Sequence, residues 1–362
     1  MLKQYIQNTL LVLFSVAFAL LLLEAFVRTR AYLADSATIA SFDNLVTRPE
    51  HGADAKLGEM IALSENENII YRFQPDIYVR FMEQFVTINA DGFRGPVVPK
   101  AKPAGIVRIV GIGDSQMFGW GVKDHETYLA RMEARLTEDV PGCRWQTVNT
   151  AVPGYNTVME VETLKVLGLD YQPDYVVVGF IGNDLQLPHF TRVQENYLSL
   201  RKSFLLGYFT QNIQSVGLKW AEPERWRPRF DTQIPEVVPE PYKHMVGKSA
   251  FAATMAELGE LARAHDFEVI VVLSNDVAVP HPLDELVTNI SREHGFHLLE
   301  LQSLWGPYAS RHGVENPDSA RYLSATDPHA SAPAHDAIGE GLFHLIRERS
   351  ANCTNRVPAT GL

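Results

Sequence analysis

Cysteine is scarce. Only Cys143 and Cys353 occur in 362 residues, which excludes a zinc-ribbon spacing and leaves open one disulfide or two separate buried thiols. An extracytoplasmic address would favour the disulfide. Long basic runs are missing as well. The formal net charge is -11, and no lysine or arginine run is long enough to track a phosphate backbone against that repulsion, so no nucleic-acid partner is expected. No internal repeat and no low-complexity tract is found. What is present is apolar: hydrophobic residues make up 46% and charged residues 21%, the composition of a chain able to bury a substantial core.

One long uncharged run stands at the amino terminus. Tyr5 to Val27 reads YIQNTLLVLFSVAFALLLLEAFV, without a charge from Leu10 to Leu23 and flanked by Lys3, Arg28 and Arg30. A terminal helix apolar on all faces would need protein around its whole circumference to be buried. A cleaved signal peptide would want a shorter run followed by small residues, whereas this one approaches the roughly 20 residues a bilayer needs. It is followed by Glu-Ala-Phe-Val-Arg. Residues 1–30 are therefore expected to form an uncleaved, single-pass signal anchor. The flanking cations balance under the positive-inside rule. A short tail before a large domain is nevertheless the common arrangement of an anchor whose carboxyl side is exported, so a periplasmic or extracellular domain is expected.

Residues 31–104 read as a linker and a small amino-terminal cap, in which IIYRF, DIYVRFMEQFVTI and NADGFRGP suggest short strands and a turn. From Ile106 the character changes. IVRIVGIGDS is a β-branched run ending in glycine and a polar turn, as in a strand buried on both faces. TYLARMEARLTEDV has helical spacing. The alternation continues with WQTVNTAV, a helix from about Asn156, YVVVGFIGND, a helix Met255 to His265, FEVIVVLSN, a helix Leu283 to His294, FHLLELQ, and a closing helix Ala334 to Arg349. Five strands alternating with helices predict an α/β fold: a five-stranded parallel sheet covered on both faces, with right-handed crossovers. The domain spans 105–350, interrupted by an insertion at about 188–246 that carries RWRPRF and VVPEPY and leaves from a strand end; residues 351–362 form a tail.

Three strand ends carry unusual polar residues: Ser115 in GDS, Gly154 in NTAVPGYN and Asn183 in GND. A fourth group, TDPHAS, holds Asp327 and His329 before the last helix. Singly, each fits a helix cap or a turn. Together they differ, because a parallel sheet aligns successive strand ends along one rim. There the hydroxyl of Ser115 would be exposed at a strand-to-helix turn. The backbone N–H groups of Ser115 and Gly154 and the side-chain amide of Asn183 would face a developing oxyanion; losing one such donor typically costs about 2.7 to 4 kcal/mol. A side chain at Gly154 would obstruct that oxygen. His329 is the candidate base for Ser115, and Asp327 would orient its imidazole.

The segments GDSQMFGWGV, NTAVPGYNT, GFIGND and TDPHASAPAHDAIGEGL resemble the four blocks of the SGNH hydrolases, also called GDSL esterases, over about Ile106 to Leu342. The resemblance implies a flavodoxin-like three-layer αβα sandwich without metal or organic cofactor. It also implies Ser115 as nucleophile, Ser115, Gly154 and Asn183 as oxyanion hole, and Asp327 with His329 completing the triad. INADGFRG resembles the segment that often precedes this domain in anchored bacterial members. An ester substrate follows, such as an acyl or acetyl group on an envelope or extracellular glycan.

The chain departs from the family pattern in places. Gln116 stands where many members have leucine, a change expected to affect packing more than mechanism. Asp327 and His329 are spaced Asp-x-His, where many members have Asp-x-x-His. Ala334 replaces a common glycine before His335, which makes His335 a rival base, although its place inside a helix favours a structural role. Asp114 and Asp184 are read as supports for their loops. His125, His189, His281 and His294 lack metal-ligand spacing and are read as surface residues. Two alternatives to hydrolysis are an O-acyltransferase acting on cell-surface polysaccharide and a non-catalytic membrane-tethered binding module.

Overall fold

The computed structural model describes residues 2–43, 48–140, 142–190, 198, 203–208, 233–236, 238, 240–274 and 283–349. The expected tail 351–362, Cys353, His281 and most of the insertion at 188–246 lie outside these residues. Cys143 is disulfide-bonded.

The chain divides into two compact units. The first comprises Met1–Asn44 with Arg192–Thr232 and Glu236–Pro241. Its main element is one helix, Leu2–Asp43, which runs on past Arg30 into the stretch expected to be linker. Within it Lys3–Leu33 is long and apolar enough to be a membrane anchor or a signal sequence. Glu24 interrupts the apolar surface and is satisfied locally. It pairs with Arg28 at 2.6 Å, and it accepts from the hydroxyl of Ser203 at 2.7 Å and from the amides of Phe204 and Leu205 at 2.8 Å each.

The second unit holds Leu45–Thr191, Gln233–Pro235 and Tyr242–Leu362. It opens with two antiparallel strand pairs: β1 (Ile61–Leu63) with β2 (Tyr71–Phe73), and β3 (Ile77–Phe81) with β4 (Gln84–Ile88). The burial of β2 and β3 alternates strictly, the two-residue period of a strand with one covered face. The main sheet follows from β5 (Ile106–Gly113), β6 (Arg144–Asn149), β7 (Tyr175–Phe180), β8 (Glu268–Leu273) and β9 (His297–Glu300). All its pairings are parallel, in the order β6-β5-β7-β8-β9. Every residue of β5 and β7 is buried, because helices cover both faces.

On one face Val110, Ile112, Val176, Val178 and Val271 pack with Val161 and Leu164 of the helix Thr157–Val166, with Phe251, Met255 and Leu258 of the helix Gly247–His265, and with Val287 and Ile290 of the helix Asp284–His294. The helices Tyr128–Asp139, Leu301–Arg311 and Ala332–Arg349 pack together as a second group. Two element bounds differ from the sequence reading. The third crossover helix starts at Gly247, not Met255, since Phe251 already belongs to the buried stripe with Met255 and Leu258 at i, i+4 and i+7. The last sheet strand ends at Glu300, within FHLLELQ. From Leu301 a helix buries Leu301, Trp305 and Tyr308 on one face, the same spacing.

The sheet order is that of a flavodoxin-like doubly wound fold, with its reversal between β5 and β7. In such folds ligands bind beyond the carboxyl ends of the strands at that reversal. The segments after β5 and β7 carry Ser115 and Asn183.

Candidate active site

Ser115 opens a single helical turn, Ser115–Phe118, immediately after β5. The turn can sit this close to the sheet because Gly113 and Gly179 face each other across β5 and β7. A Cβ on Gly113 would lie 2.7 Å from the Cβ of Met117, and one on Gly179 would lie 3.0 Å from it. Asp114 caps the turn, its Oδ1 accepting from the amide of Gln116 at 2.8 Å.

His329 and Asp327 lie on β11 (Asp327–Ala330), paired antiparallel with β10 (Tyr322–Ser324). The expected loop before the closing helix is therefore a hairpin strand, which explains the short Asp-x-His spacing. Residues i and i+2 of a strand face the same way. The Nε2 of His329 lies 2.9 Å from Oγ of Ser115, and its Nδ1 lies 2.6 Å from Oδ1 of Asp327. The backbone amide of His329 also donates to that Oδ1 at 3.1 Å. The His329 side chain is 17% exposed and that of Asp327 25%, so the chain of contacts is shielded but open on one side. The hydrogen bond from His329 is the largest influence on the Asp327 carboxyl and holds it below the ordinary range, against partial burial. An ionised carboxylate only accepts, so Nδ1 carries the hydrogen and Nε2 is left as an acceptor facing the serine.

Asn183 follows β7. Its Nδ2 donates to Oδ2 of Asp114 at 3.1 Å, using one of its two N–H groups. Gly154 sits at φ +80°, where a Cβ would lie 2.3 Å from the Cβ of His189 and 2.9 Å from the hydroxyl of Tyr71. Any side chain is thus excluded by neighbours as well as by backbone conformation. The loop is tied to β5 by the amide of Val152, which donates to the carbonyl of Gly113 at 3.1 Å, and to His189, whose amide donates to the carbonyl of Gly154 at 2.9 Å. The amides of Ser115 and Gly154 have no hydrogen-bond partner among the described residues.

The remaining polar residues fall as follows. His335 is buried in the closing helix and accepts from the amide of Tyr128 at 3.2 Å through Nδ1, a contact with the helix Tyr128–Asp139. Burial, with Arg94 and the His329 ring nearby, pushes it down to about 3. Asp114 is buried and raised by that burial, opposed by bonds from Gln116, Asn183 and Ser115. Asp184 accepts from the amide of Ile181 at 3.1 Å. Burial, with Glu160 and Asp114 nearby, pushes its carboxyl well up. His125 and His189 are exposed, whereas His294 is half-buried against Phe296. Among the described residues no group of three or more His, Cys, Asp or Glu is placed to hold a metal ion.

Three contributors were not apparent in the sequence. Trp120 stacks on the His329 ring, with centroids 4.8 Å apart and planes inclined by 13°. Its Nε1 donates to Oδ2 of Asp327 at 3.3 Å. Gln116, expected to affect packing more than mechanism, accepts from the amide of Ala330 at 3.0 Å and so ties the Ser115 turn to the strand of His329. Arg94, in the INADGFRG segment, is buried. It donates to the carbonyls of Phe118 at 2.7 Å, Gly119 at 2.6 Å and Val122 at 2.6 Å, and to Asp124 at 2.9 Å. It therefore clamps the carboxyl end of the Ser115 turn. The only signals for these residues were their positions inside or just before the recognised blocks.

A family model described as the GDSL-like lipase/acylhydrolase family matches residues 112–337. No curated protein matches the chain. Similar solved structures include TesA, at 13% identity over 67% of this chain and 98% of that one, with a TM-score of 0.40. A mutant of Axe2, an acetyl-xylooligosaccharide esterase from Geobacillus stearothermophilus, matches at 13% identity over 66% and 93%, also with a TM-score of 0.40. A member of the lipolytic G-D-S-L family from Veillonella parvula matches at 11% identity over 67% and 98%, with a TM-score of 0.39.

Proposed function

The chain belongs to the GDSL-like lipase/acylhydrolase family and is an ester hydrolase, and on that premise we propose that it cleaves carboxylic esters through Ser115, His329 and Asp327. The observation that carries this reading is the unbroken contact from Ser115 Oγ to His329 Nε2 at 2.9 Å and from His329 Nδ1 to Asp327 Oδ1 at 2.6 Å. Attack of Oγ on the ester carbonyl passes the serine proton to Nε2. The imidazolium so formed is stabilised by the Asp327 carboxylate. The carbonyl oxygen becomes an oxyanion, for which the N–H groups of Ser115 and Gly154 and the second N–H of Asn183 Nδ2 are the donors. Protonated His329 then delivers its proton to the leaving alcohol. Water repeats the sequence on the acyl-enzyme, releasing the acid and restoring Ser115.

The proposed substrates are acyl or acetyl esters carried on envelope or extracellular glycans. Lys3–Leu33 acts in this reading as the membrane anchor, with the hydrolase domain on the periplasmic or extracellular side. The test is hydrolysis of short and long p-nitrophenyl esters and of acetylated sugars by wild type and by Ser115→Ala, with labelling by an activated-serine phosphonate. Activity and labelling should both vanish in the variant. Either one persisting at the wild-type level would overturn the assigned nucleophile.

A further inference from the structure

One buried hydroxyl of the amino-terminal strand pairs has no part in the reaction as described. Tyr71, the first residue of β2, is 0% exposed. Its ring lies edge-on to those of Tyr155 and Phe190, with centroids 5.2 and 5.1 Å away. Its hydroxyl donates to the carbonyl oxygen of Pro153 at 3.1 Å, and the hydroxyl of Tyr155 donates back to the carbonyl of Tyr71. The strand of Tyr71 and the Pro153–Tyr155 segment are thus joined by two hydroxyl-to-carbonyl bonds, one in each direction.

The Pro153 carbonyl and the Gly154 N–H belong to one peptide group. That group is trans, so it is planar and its C=O and N–H point in opposite directions. A hydroxyl held on the carbonyl therefore sets the heading of the N–H on the far side. It also polarises the peptide, because hydrogen bonds in a chain strengthen one another. This peptide is the centre of a turn closed by the amide of Tyr155 on the carbonyl of Val152 at 3.2 Å, and because Gly154, at φ +80°, has wide conformational freedom, the Tyr71 hydroxyl adds a contact that opposes flipping of the peptide. Burial, with Tyr155 beside it, pushes the Tyr71 hydroxyl well above its ordinary value, so it remains a donor throughout the working pH range.

We propose that Tyr71 is a positioning residue for ester hydrolysis: its hydroxyl, on the Pro153 carbonyl, aims and strengthens the Gly154 N–H as an oxyanion donor. The amino-terminal strand pairs then brace the oxyanion hole from outside the residues matched by the family model. The inference rests on the reading of Gly154 and Asn183 as oxyanion donors, and its test separates the two.

The full-length chain in detergent is compared as wild type, Tyr71→Phe and Asn183→Ala. The readouts are kcat, KM and the affinity of a trifluoromethyl ketone that forms a tetrahedral serine adduct, normalised to active sites titrated with a phosphonate. Removing an aiming contact should weaken ketone binding and lower kcat about tenfold in Tyr71→Phe while KM stays within about twofold, since the oxyanion exists only after attack. Loss in both variants supports the inference. Loss in Asn183→Ala with wild-type values in Tyr71→Phe overturns it and leaves the oxyanion-hole reading standing. Wild-type affinity in both variants overturns that reading and the inference with it. Should Tyr71→Phe not fold, 3-fluorotyrosine at position 71 keeps the ring and supplies a more acidic hydroxyl. Ketone binding tighter than wild type supports the inference, and equal or weaker binding overturns it.

Discussion

The indole of Trp120 lies face to face with the imidazole of His329, 4.8 Å between centroids, while its N–H reaches Oδ2 of Asp327 at 3.3 Å. One side chain thereby touches both members of the Asp-His pair. It limits rotation of the imidazole about its ring axis and occupies the carboxylate oxygen that His329 does not use. Trp120 lies five residues after Ser115, so the segment that carries Ser115 also steadies the His329 ring.

The two contributions of Trp120 can be separated. Trp120→Phe keeps an aromatic face over His329 and removes the N–H, so kcat/KM should fall about fivefold, equivalent to ~1 kcal/mol for one hydrogen bond. Trp120→Ala should fall further, having lost the stacking surface as well. Steady-state kinetics on a p-nitrophenyl ester read both, and equal activity in Phe, Ala and wild type would remove Trp120 from the account.

Asp327→Asn preserves shape but cannot hold His329 with a hydrogen on Nδ1 in the same way. In triad enzymes the corresponding change costs about 10⁴ in kcat, because the histidine is left in the wrong tautomer. A loss of at least about a hundredfold is expected here, and a loss below about tenfold would argue that Asp327 is not the orienting acid.

Gln116→Leu tests a tie that the leucine common in the family cannot make. The buried amide of Ala330 would lose its acceptor, Gln116 Oε1, at a cost of about 1 to 3 kcal/mol. Thermal unfolding should register that cost. A melting temperature equal to wild type would show that the strand carrying His329 is held by other contacts.

His335 makes stability depend on pH in a defined window. In the unfolded chain it takes a proton below about 6.5, but burial holds the folded side chain neutral down to about 3. Between those values the unfolded state binds more protons at this position, so its contribution to stability rises with pH and is lost on acidification. Denaturant unfolding at several pH values should give a shallower slope from this group in His335→Asn, which can still accept from the Tyr128 amide. An unchanged slope would contradict the assignment.

Much of this molecule was legible in the order of its residues. IVRIVGIG and YVVVGF are apolar throughout because both faces of their strands are covered, and period and composition alone report that. Ser115, Gly154 and Asn183 could be grouped because a parallel sheet must bring successive strand ends to one rim. The bounds of the helix from Gly247 and of the strand ending at Glu300 were less legible, since short apolar runs satisfy strand and helix periods alike.

Amino-acid order by itself determined the alternation of strands and helices, the apolar run at the amino terminus and which side chains were candidates for the chemistry, all of which depend on local pattern. Tertiary structure alone decided which partners those side chains meet. That Trp120 and Gln116 reach the strand of Asp327 and His329, that Arg94 holds the carbonyls after the Ser115 turn, and that Tyr71 reaches the Pro153 carbonyl are contacts between segments tens to hundreds of residues apart. Such contacts depend on directions set by packing, and separation along a chain carries no direction in space.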